Sequence, residues 1–254
     1  MSQLKQILGV LFLLCTTCAF AEVEIVYDPL NSPSWDVMQR KFLSDHPVVF
    51  DQRVRVSAPD NAEDSLNVPV SVWVDDLVGV EKIVVFSDLN PIPLVLNFYP
   101  LEVRPYLAFR FKVQQATPIR AAALAADGKW HVGGKWIEAM GGGCTAPSNG
   151  RTTGNWANNL GITTGRVFDR AGDFNRLRFR VMHPMDTGLA DGIPAFYIKE
   201  TRIEDEQGKL LARLELFEPV NENPVISLDI ADRTNALNIE GVDNNGNKFT
   251  ANIK

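Results

Sequence analysis

Residues 119–140 read IRAAALAADGKWHVGGKWIEAM, two runs joined by Asp127-Gly128. Asp-Gly supplies the positive φ angles of a tight hairpin turn, and the run after it, with Trp, His, Val and Ile, has strand composition. The stretch predicts a pair of antiparallel strands. Upstream, the same pattern recurs in RVRVSAP, VPVSVWVDDL, EKIVVFSDL and PYLAFRFKV, short segments rich in Val, Ile and aromatic residues and separated by Asp, Asn, Gly and Pro. Strands at this spacing, with no helical crossovers between them, predict an antiparallel immunoglobulin-like β-sandwich. A helix precedes them: in LNSPSWDVMQRKFLSDHP, Ser32 or Ser34 can cap, Pro33 suits an early position, and Trp35, Met38 and Phe42 recur at helical spacing until His46-Pro47.

The first sandwich ends at Gly141-Gly142-Gly143-Cys144. Residues 145–172, TAPSNGRTTGNWANNLGITTGRVFDRAG, are rich in Thr, Asn and Gly without a sustained apolar period, and predict a linker onto which Trp156, Leu160 and Ile162 can dock. Strands resume in NRLRFRVMHP, AFYIKETRIEDEQGKLLARLELFEPV, ISLDIAD and ALNIEGVDNNGNKFTANIK, with turns at Gln207-Gly208 and Asn245-Gly246. The expected fold is all-β: two immunoglobulin-like β-sandwiches joined by a linker, with a short N-terminal helix. The expected division is a signal peptide at 1–21, a sandwich at 22–144, the linker at 145–172 and a second sandwich at 173–254.

With a formal net charge of -6 and a sequence pI near 5.2, the chain lacks the basic surplus of a nucleic-acid binder. Downstream of Lys5 the apolar run ILGVLFLLCTTCAFA ends in Ala19-Phe20-Ala21, the small-x-small pattern of a cleaved secretory signal. Thr16 and Thr17 interrupt it too early for a membrane anchor, and no other stretch is long and apolar enough to span a bilayer. The expected location is periplasmic, with no membrane attachment after cleavage. Cys15 and Cys18 leave with the signal, so Cys144 is the one cysteine of the mature chain. In an oxidising compartment such a thiol is inert and buried, a dimer crosslink, or chemically employed.

Other chemistry is excluded by spacing. His46, His131 and His183 are scattered without metal-ligand spacing, Asp75-Asp76 and Glu204 to Glu206 lie beside turns, and no G-x-S-x-G elbow occurs. GGGC lacks the Lys-Ser/Thr ending of a phosphate loop. No catalytic constellation, metal or cofactor is expected. The dense turn His183-Pro184-Met185-Asp186-Thr187-Gly188 reads as a structural corner in which His183, Asp186 and Thr187 bond backbone groups. Cys144 stands apart, because three glycines cannot build a packed wall around a sulfur. They predict an exposed thiol on an arm with about 10 Å of adjustable reach. No Lys or Arg lies within six positions of it, so sequence-local charge leaves the thiol near its reference pKa of ~8.5. A movable thiol suits presentation to another protein's pocket better than catalysis in place.

Taken together, VPVSVWV, DLNPIPLVLNFYP and GGGC resemble SoxY, and the segment from Phe174 to Lys254, with FRVMHPMDTG and ENPVISL, resembles SoxZ. The two are the subunits of the SoxYZ sulfur carriers of thiosulfate oxidation. The fused arrangement most resembles the quinoprotein dehydrogenase-associated SoxYZ-like carriers. The resemblance implies that Cys144 holds a sulfur intermediate covalently and presents it to separate sulfur-compound-processing or quinoprotein redox enzymes. In SoxYZ systems a haem enzyme loads the cysteine and a hydrolase releases sulfate. In SoxY the cysteine sits in a Gly-Gly-Cys-Gly-Gly tail at a free C-terminus, whereas Thr145-Ala146-Pro147 follow Cys144 and lead into a second domain. The other class of function open to such a chain is a non-catalytic adaptor that docks a dehydrogenase, with Cys144 incidental or crosslinking.

Overall fold

The computed structural model describes residues 24–150, 156–170, 174–230 and 236–254. The predicted leader, with Cys15 and Cys18, lies outside them. The first half contains α1 (Trp35–Phe42) and strands β1 (Val48–Phe50), β2 (Val54–Ser57), β3 (Asn61–Ala62), β4 (Val68–Val74), β5 (Lys82–Ser87), β6 (Leu94–Tyr99), β7 (Val103–Phe111), β8 (Thr117–Leu124) and β9 (Trp130–Ala139). The second contains α2 (Trp156–Asn159), β10 (Thr163–Phe168), β11 (Asn175–Val181), β12 (Ile198–Asp205), β13 (Leu210–Leu216), β14 (Val225–Ile230), β15 (Leu237–Asp243) and β16 (Lys248–Ile253). The expected all-β class, the two sandwiches and the short helix are present. The helix stops at Phe42, short of His46-Pro47.

The hairpin at Asp127-Gly128 forms as the sequence dictates. β8 and β9 pair antiparallel in register, with Ala123 opposite His131, and Gly128 takes φ +72° in the turn. Gly208 and Gly246 adopt φ +80° and +88° in the other predicted turns.

The halves are joined by more than a linker. β6 pairs antiparallel with β13, and β14 pairs antiparallel with β7, so both sheets run without a break from one half into the other. The larger sheet has the order β1-β9-β8-β5-β6-β13-β12-β15-β16, with β3 beside β9; the smaller has the order β10-β11-β14-β7-β4-β2. One apolar core lies between them, drawing Val70, Leu107 and Phe109 from the first half and Leu177, Phe179, Leu214 and Leu228 from the second. The segment read as a linker contributes to this: β10 pairs along its length with β11, and Trp156 packs against Phe196 with ring centroids 5.8 Å apart. Composition concealed that strand because the Thr and Gly of TTGRVF are the residues of an edge strand with one exposed face, which needs few apolar positions.

This continuity predicts that the halves do not fold apart. A fragment ending at Gly150 exposes the paired edges of β6 and β7, and bare strand edges template association. It is expected to self-associate in size-exclusion chromatography and to become a discrete complex when residues 156–254 are supplied.

A second core covers the outer face of the larger sheet. Trp35, Met38 and Leu43 pack on Val84, Phe86, Ala122, Trp130 and Val132. β5 is therefore buried on both faces, which is why its centre, IVVF at 83–86, is continuously apolar rather than alternating. Beneath Trp35 lies an ion cluster: Arg120, fully buried, donates from Nη1 and Nη2 to Asp28 at 2.8 and 2.7 Å and from Nε to Asp88 at 3.0 Å. Its guanidinium lies 4.6 Å from the Trp35 ring centroid. Burial pulls against ionisation of Asp28, but Arg120 and the Ser32 and Leu30 amides outweigh it and lower its pKa; at Asp88 burial wins and the pKa is raised.

Candidate functional site

β9 delivers the glycine run to the seam between the halves. β7 leads there into Lys112, the residue after its end, and the turn after β11 closes over both. Gly142 N–H donates to the Gln114 carbonyl at 3.3 Å, Gly143 N–H to the Val113 carbonyl at 3.0 Å, and Cys144 N–H to Gln114 Oε1 at 3.2 Å. Val113 N–H in turn donates to the Ser65 carbonyl at 2.8 Å. The backbone is thus laid directly against other backbone. A methyl on Gly143 would stand 2.1 Å from the Ser65 carbonyl oxygen, and one on Gly141, at φ +96°, 2.6 Å from that of Gln114. Gly142 takes φ +86°. The glycines are required for close approach and left-handed angles.

The second half holds the rest of the loop. Thr187 Oγ1 donates to the Cys144 carbonyl at 2.5 Å, Ser148 N–H donates to Asp186 Oδ1 at 3.2 Å, and Asn149 and Gly150 N–H donate to the Glu222 carboxylate at 2.7 and 2.8 Å. Cys144 is consequently buried, with no exposed surface, and its Sγ lies 3.6 Å from the Lys112 carbonyl. This overturns the expectation of an exposed thiol on a free arm. Small residues permit exposure but do not compel it, and here two domains supply the walls that the glycines cannot.

Residues 183–188 form a turn held by backbone hydrogen bonds. Met185 N–H donates to His183 Nδ1 at 3.1 Å, Asp186 and Phe196 exchange backbone bonds of 2.7 and 3.0 Å, and Asn223 N–H donates to the His183 carbonyl at 2.8 Å. His183 Nε2 lies 3.5 Å from Asp243 Oδ2, and its ring packs on Phe196. Met185, at φ +51°, and Gly188, at φ +80°, make the reversal; Pro184 is buried between them and His183. What the sequence did not disclose is that this corner roofs the cysteine. His131 serves elsewhere, between Asp51 (2.7 Å) and Asp127 (3.1 Å), and His46 lies near Asp45. Among the described residues no group of His, Cys, Asp or Glu is arranged to hold a metal ion.

Lys112 is the residue that sequence reading missed. In FRFKV the alternation that turns Phe109, Phe111 and Val113 inward places Lys112 on the outer face with Arg110, where a lysine calls for no comment. The second half covers that face at the end of β7, leaving Lys112 2% exposed with its ammonium donating to the Met185 carbonyl. Burial lowers its pKa to about 8, against the opposing pull of Asp186, Cys144 and Glu222. The Cys144 thiol is pushed up to about 11 by burial, although Lys112 pulls the other way. Desolvation therefore wins at the sulfur, and in this docked state Cys144 is a protonated thiol at neutral pH. Beside the loop a cleft of about 300 Å³ is lined by Lys112, Pro147, Ser148, Asn149 and Glu222. Ser148 Oγ is buried there without a hydrogen-bond partner among the described residues.

These two shifts give a pH signature. The folded protein releases the Lys112 proton near pH 8 and the unfolded chain near 10.5, so stability rises with pH between those values. Cys144 acts with the opposite sign: the folded state keeps its proton from pH 9 to about 11 while the unfolded chain loses it, so stability falls over that window. Urea unfolding is expected to show a gain from pH 8 to 9 that flattens above 9. Lys112→Met removes the gain, and Cys144→Ser lets it continue toward pH 10.

The family model for sulfur oxidation protein SoxY matches residues 38–144, ending on Cys144, and that for sulphur oxidation protein SoxZ matches residues 166–254. The chain is a tandem SoxY–SoxZ protein. SoxY and SoxZ are non-catalytic carrier proteins of sulfur oxidation, and this chain has that role rather than an enzyme's. No curated protein matched it. Among solved structures it is similar to the sulfur carrier protein SoxY of Chlorobium limicola f. thiosulfatophilum, at 24% identity over 41% of this chain and 94% of that one, with a TM-score of 0.37. It is also similar to a superoxide reductase (neelaredoxin) of Ignicoccus hospitalis, at 16% identity over 34% of this chain and 80% of that one, with a TM-score of 0.31. In the tandem protein the seam between β6–β13 and β7–β14 is the SoxY–SoxZ contact within one polypeptide, and the cysteine loop lies across it.

Proposed function

We propose that this protein is an exported, periplasmic covalent carrier that holds a sulfur-containing group on Cys144, shelters it in the SoxY–SoxZ seam, and presents it to partner enzymes, among them those of a quinoprotein dehydrogenase system. The observation that carries the reading is the loop 141–150: its hydrogen bonds are divided between the two domains, and it ends both its own glycine run and the SoxY match at the one cysteine among the described residues.

The chemistry requires two positions of that loop. A thiol with a pKa near 11, walled by both domains, cannot attack a sulfur donor; undocked, it returns to the ordinary range of ~8.5 and forms thiolate. Loading with thiosulfate joins the Cys144 sulfur to the outer sulfur of the donor, gives a Cys–S–S–SO₃⁻ group and releases two electrons, which a haem-containing partner accepts. Redocking then brings an anionic adduct toward Lys112, whose ammonium offsets its charge. Because Pro147 and the Glu222-bound amides of Asn149 and Gly150 fix the far end, the loop opens as a flap hinged at both ends, unlike a free tail.

Intact-mass analysis of the protein purified from its host, with and without reductant, tests the reading. A reducible sulfur-containing adduct that is absent from Cys144→Ser supports it. An unmodified thiol that, after undocking, also refuses both thiosulfate supplied with ferricyanide as electron acceptor and persulfide donors defeats it. The adaptor reading predicts instead that Cys144→Ser leaves the host's sulfur metabolism intact.

A further inference from the structure

The outer face of the six-stranded sheet carries a charge pattern unlike the rest of the molecule. Its strands hold seven of the chain's 25 Lys and Arg but one of its 31 Asp and Glu. All seven are arginine: Arg55, Arg104, Arg110, Arg166, Arg176, Arg178 and Arg180. Register puts them on one surface, Arg166 opposite Arg178, Arg178 opposite Ser227, Ser227 opposite Ala108, and Arg110 opposite Pro69.

Two of the seven are internally satisfied. Arg176 donates from Nε to Asp229 at 2.7 Å and stacks 4.1 Å from the Tyr106 ring centroid; Tyr106 lies 5.5 Å from Trp73, and Arg55 lies 5.6 Å from Trp73 and 2.5 Å from Asp75. This ladder stiffens the face. Among the described residues, Arg104, Arg110, Arg166, Arg178 and Arg180 have no carboxylate at ion-pair distance, and all five are exposed. Arg166, Arg178 and Arg180 border a shallow groove of about 440 Å³ together with Phe168, which is 44% exposed at the sheet edge. The face also has a direction: Arg110 stands two residues before Lys112, and Arg180 three before His183, so it ends at the cysteine seam.

We infer that this face docks an acidic surface of the enzyme that loads or unloads Cys144. Arginine forks match carboxylates bidentately, and a broad, flat array fits a protein surface where a single pocket would fit a small anion. A basic patch on a chain of net charge -6 also orients encounter, which raises the association rate and makes it salt-dependent. The partner's role, though not its charge, rests on the carrier reading.

The test uses the full-length mature protein and the double variant Arg178→Glu, Arg180→Glu, both sites exposed and both proteins checked for equal thermal unfolding. Titration of labelled protein with poly-L-glutamate is expected to shift amide resonances of β7, β10 and β11, with at least tenfold weaker binding in the variant. Shifts spread evenly over the surface, or unchanged in the variant, overturn the inference, as does binding to phosphatidylglycerol vesicles at 0.15 M salt with none to polyglutamate. In a second arm, an exported-protein extract of the host loads Cys144 with thiosulfate. Loading that slows at least tenfold in the variant and loses its salt dependence supports the inference, and equal loading overturns it. An extract that fails to load the unaltered protein counts against the carrier reading, and the polyglutamate arm then decides the surface by itself.

Discussion

Replacing Gly143 with alanine is expected to raise the alkylation rate of Cys144 by iodoacetamide at pH 7.5 at least tenfold. The added methyl would stand 2.1 Å from the Ser65 carbonyl oxygen, which accepts from Val113 N–H, and 2.6 Å from that of Val113, which accepts from Gly143 N–H. Neither can yield cheaply, so the loop leaves its seat. The thiol then falls from about 11 toward ~8.5, which increases the thiolate fraction some 300-fold. Its intrinsic nucleophilicity falls with its basicity, by about tenfold for a Brønsted slope of 0.4–0.5. What remains is a factor above ten, before any gain in access. Stopped-flow or mass-resolved alkylation across pH 6.5–10 measures it, and the native protein should show the steeper pH dependence at the alkaline end. Thr187→Ala, which removes the bond to the Cys144 carbonyl and the one accepted from Leu189 N–H but leaves the glycine seat unaltered, should produce a smaller increase. A Gly143→Ala rate equal to that of the native protein would show that the seat tolerates the methyl and that docking does not control the thiol.

Arg120→Met is expected to lower the unfolding free energy by about 3–5 kcal/mol, the cost typical of removing one member of a buried ion cluster. Asp28 and Asp88 would face one another without the cation, in a site where Arg120 is fully buried and both acids are nearly so. The loss of the Trp35 contact adds to it. Arg120→Lys should recover only part, because a point charge cannot serve two carboxylates in the fork geometry. Adding Asp28→Asn and Asp88→Asn to Arg120→Met should restore a large share by removing the stranded charges. Urea denaturation checks the series, and a loss below about 1 kcal/mol for Arg120→Met would place the cluster among ion pairs that contribute little. The effect should leave Cys144 alkylation unchanged, since the cluster lies outside the larger sheet, away from the seam.

The strands and turns were legible in the sequence because their determinants are local. Asp127-Gly128 needs only the positive φ of its glycine to reverse the chain, and alternation in FRVMH or VPVSVWV needs only one wet face. The single cysteine behind three glycines was legible too, as a place where chemistry belongs. Its environment was not. Flexibility and close packing make the same demand on side chains, namely that there be none, so Gly141 to Gly143 read as a loose arm when they are a tight seat. Likewise Lys112 and Arg120 occupy positions that alternation assigns to the surface, and each becomes buried because a distant segment covers that face.

By itself the sequence determined the β class and the order of most of its strands, and it singled out Cys144 behind three glycines, since these follow from residue type and spacing along the chain. Tertiary structure alone decided that the two halves share their sheets, that residues 183–188 roof Cys144, and that the thiol rests protonated beside a buried lysine. Those properties arise from pairs such as Lys112 with Met185 and Cys144 with Thr187, which are far apart in sequence. The energy of burial depends on what covers a side chain, and no local pattern records that.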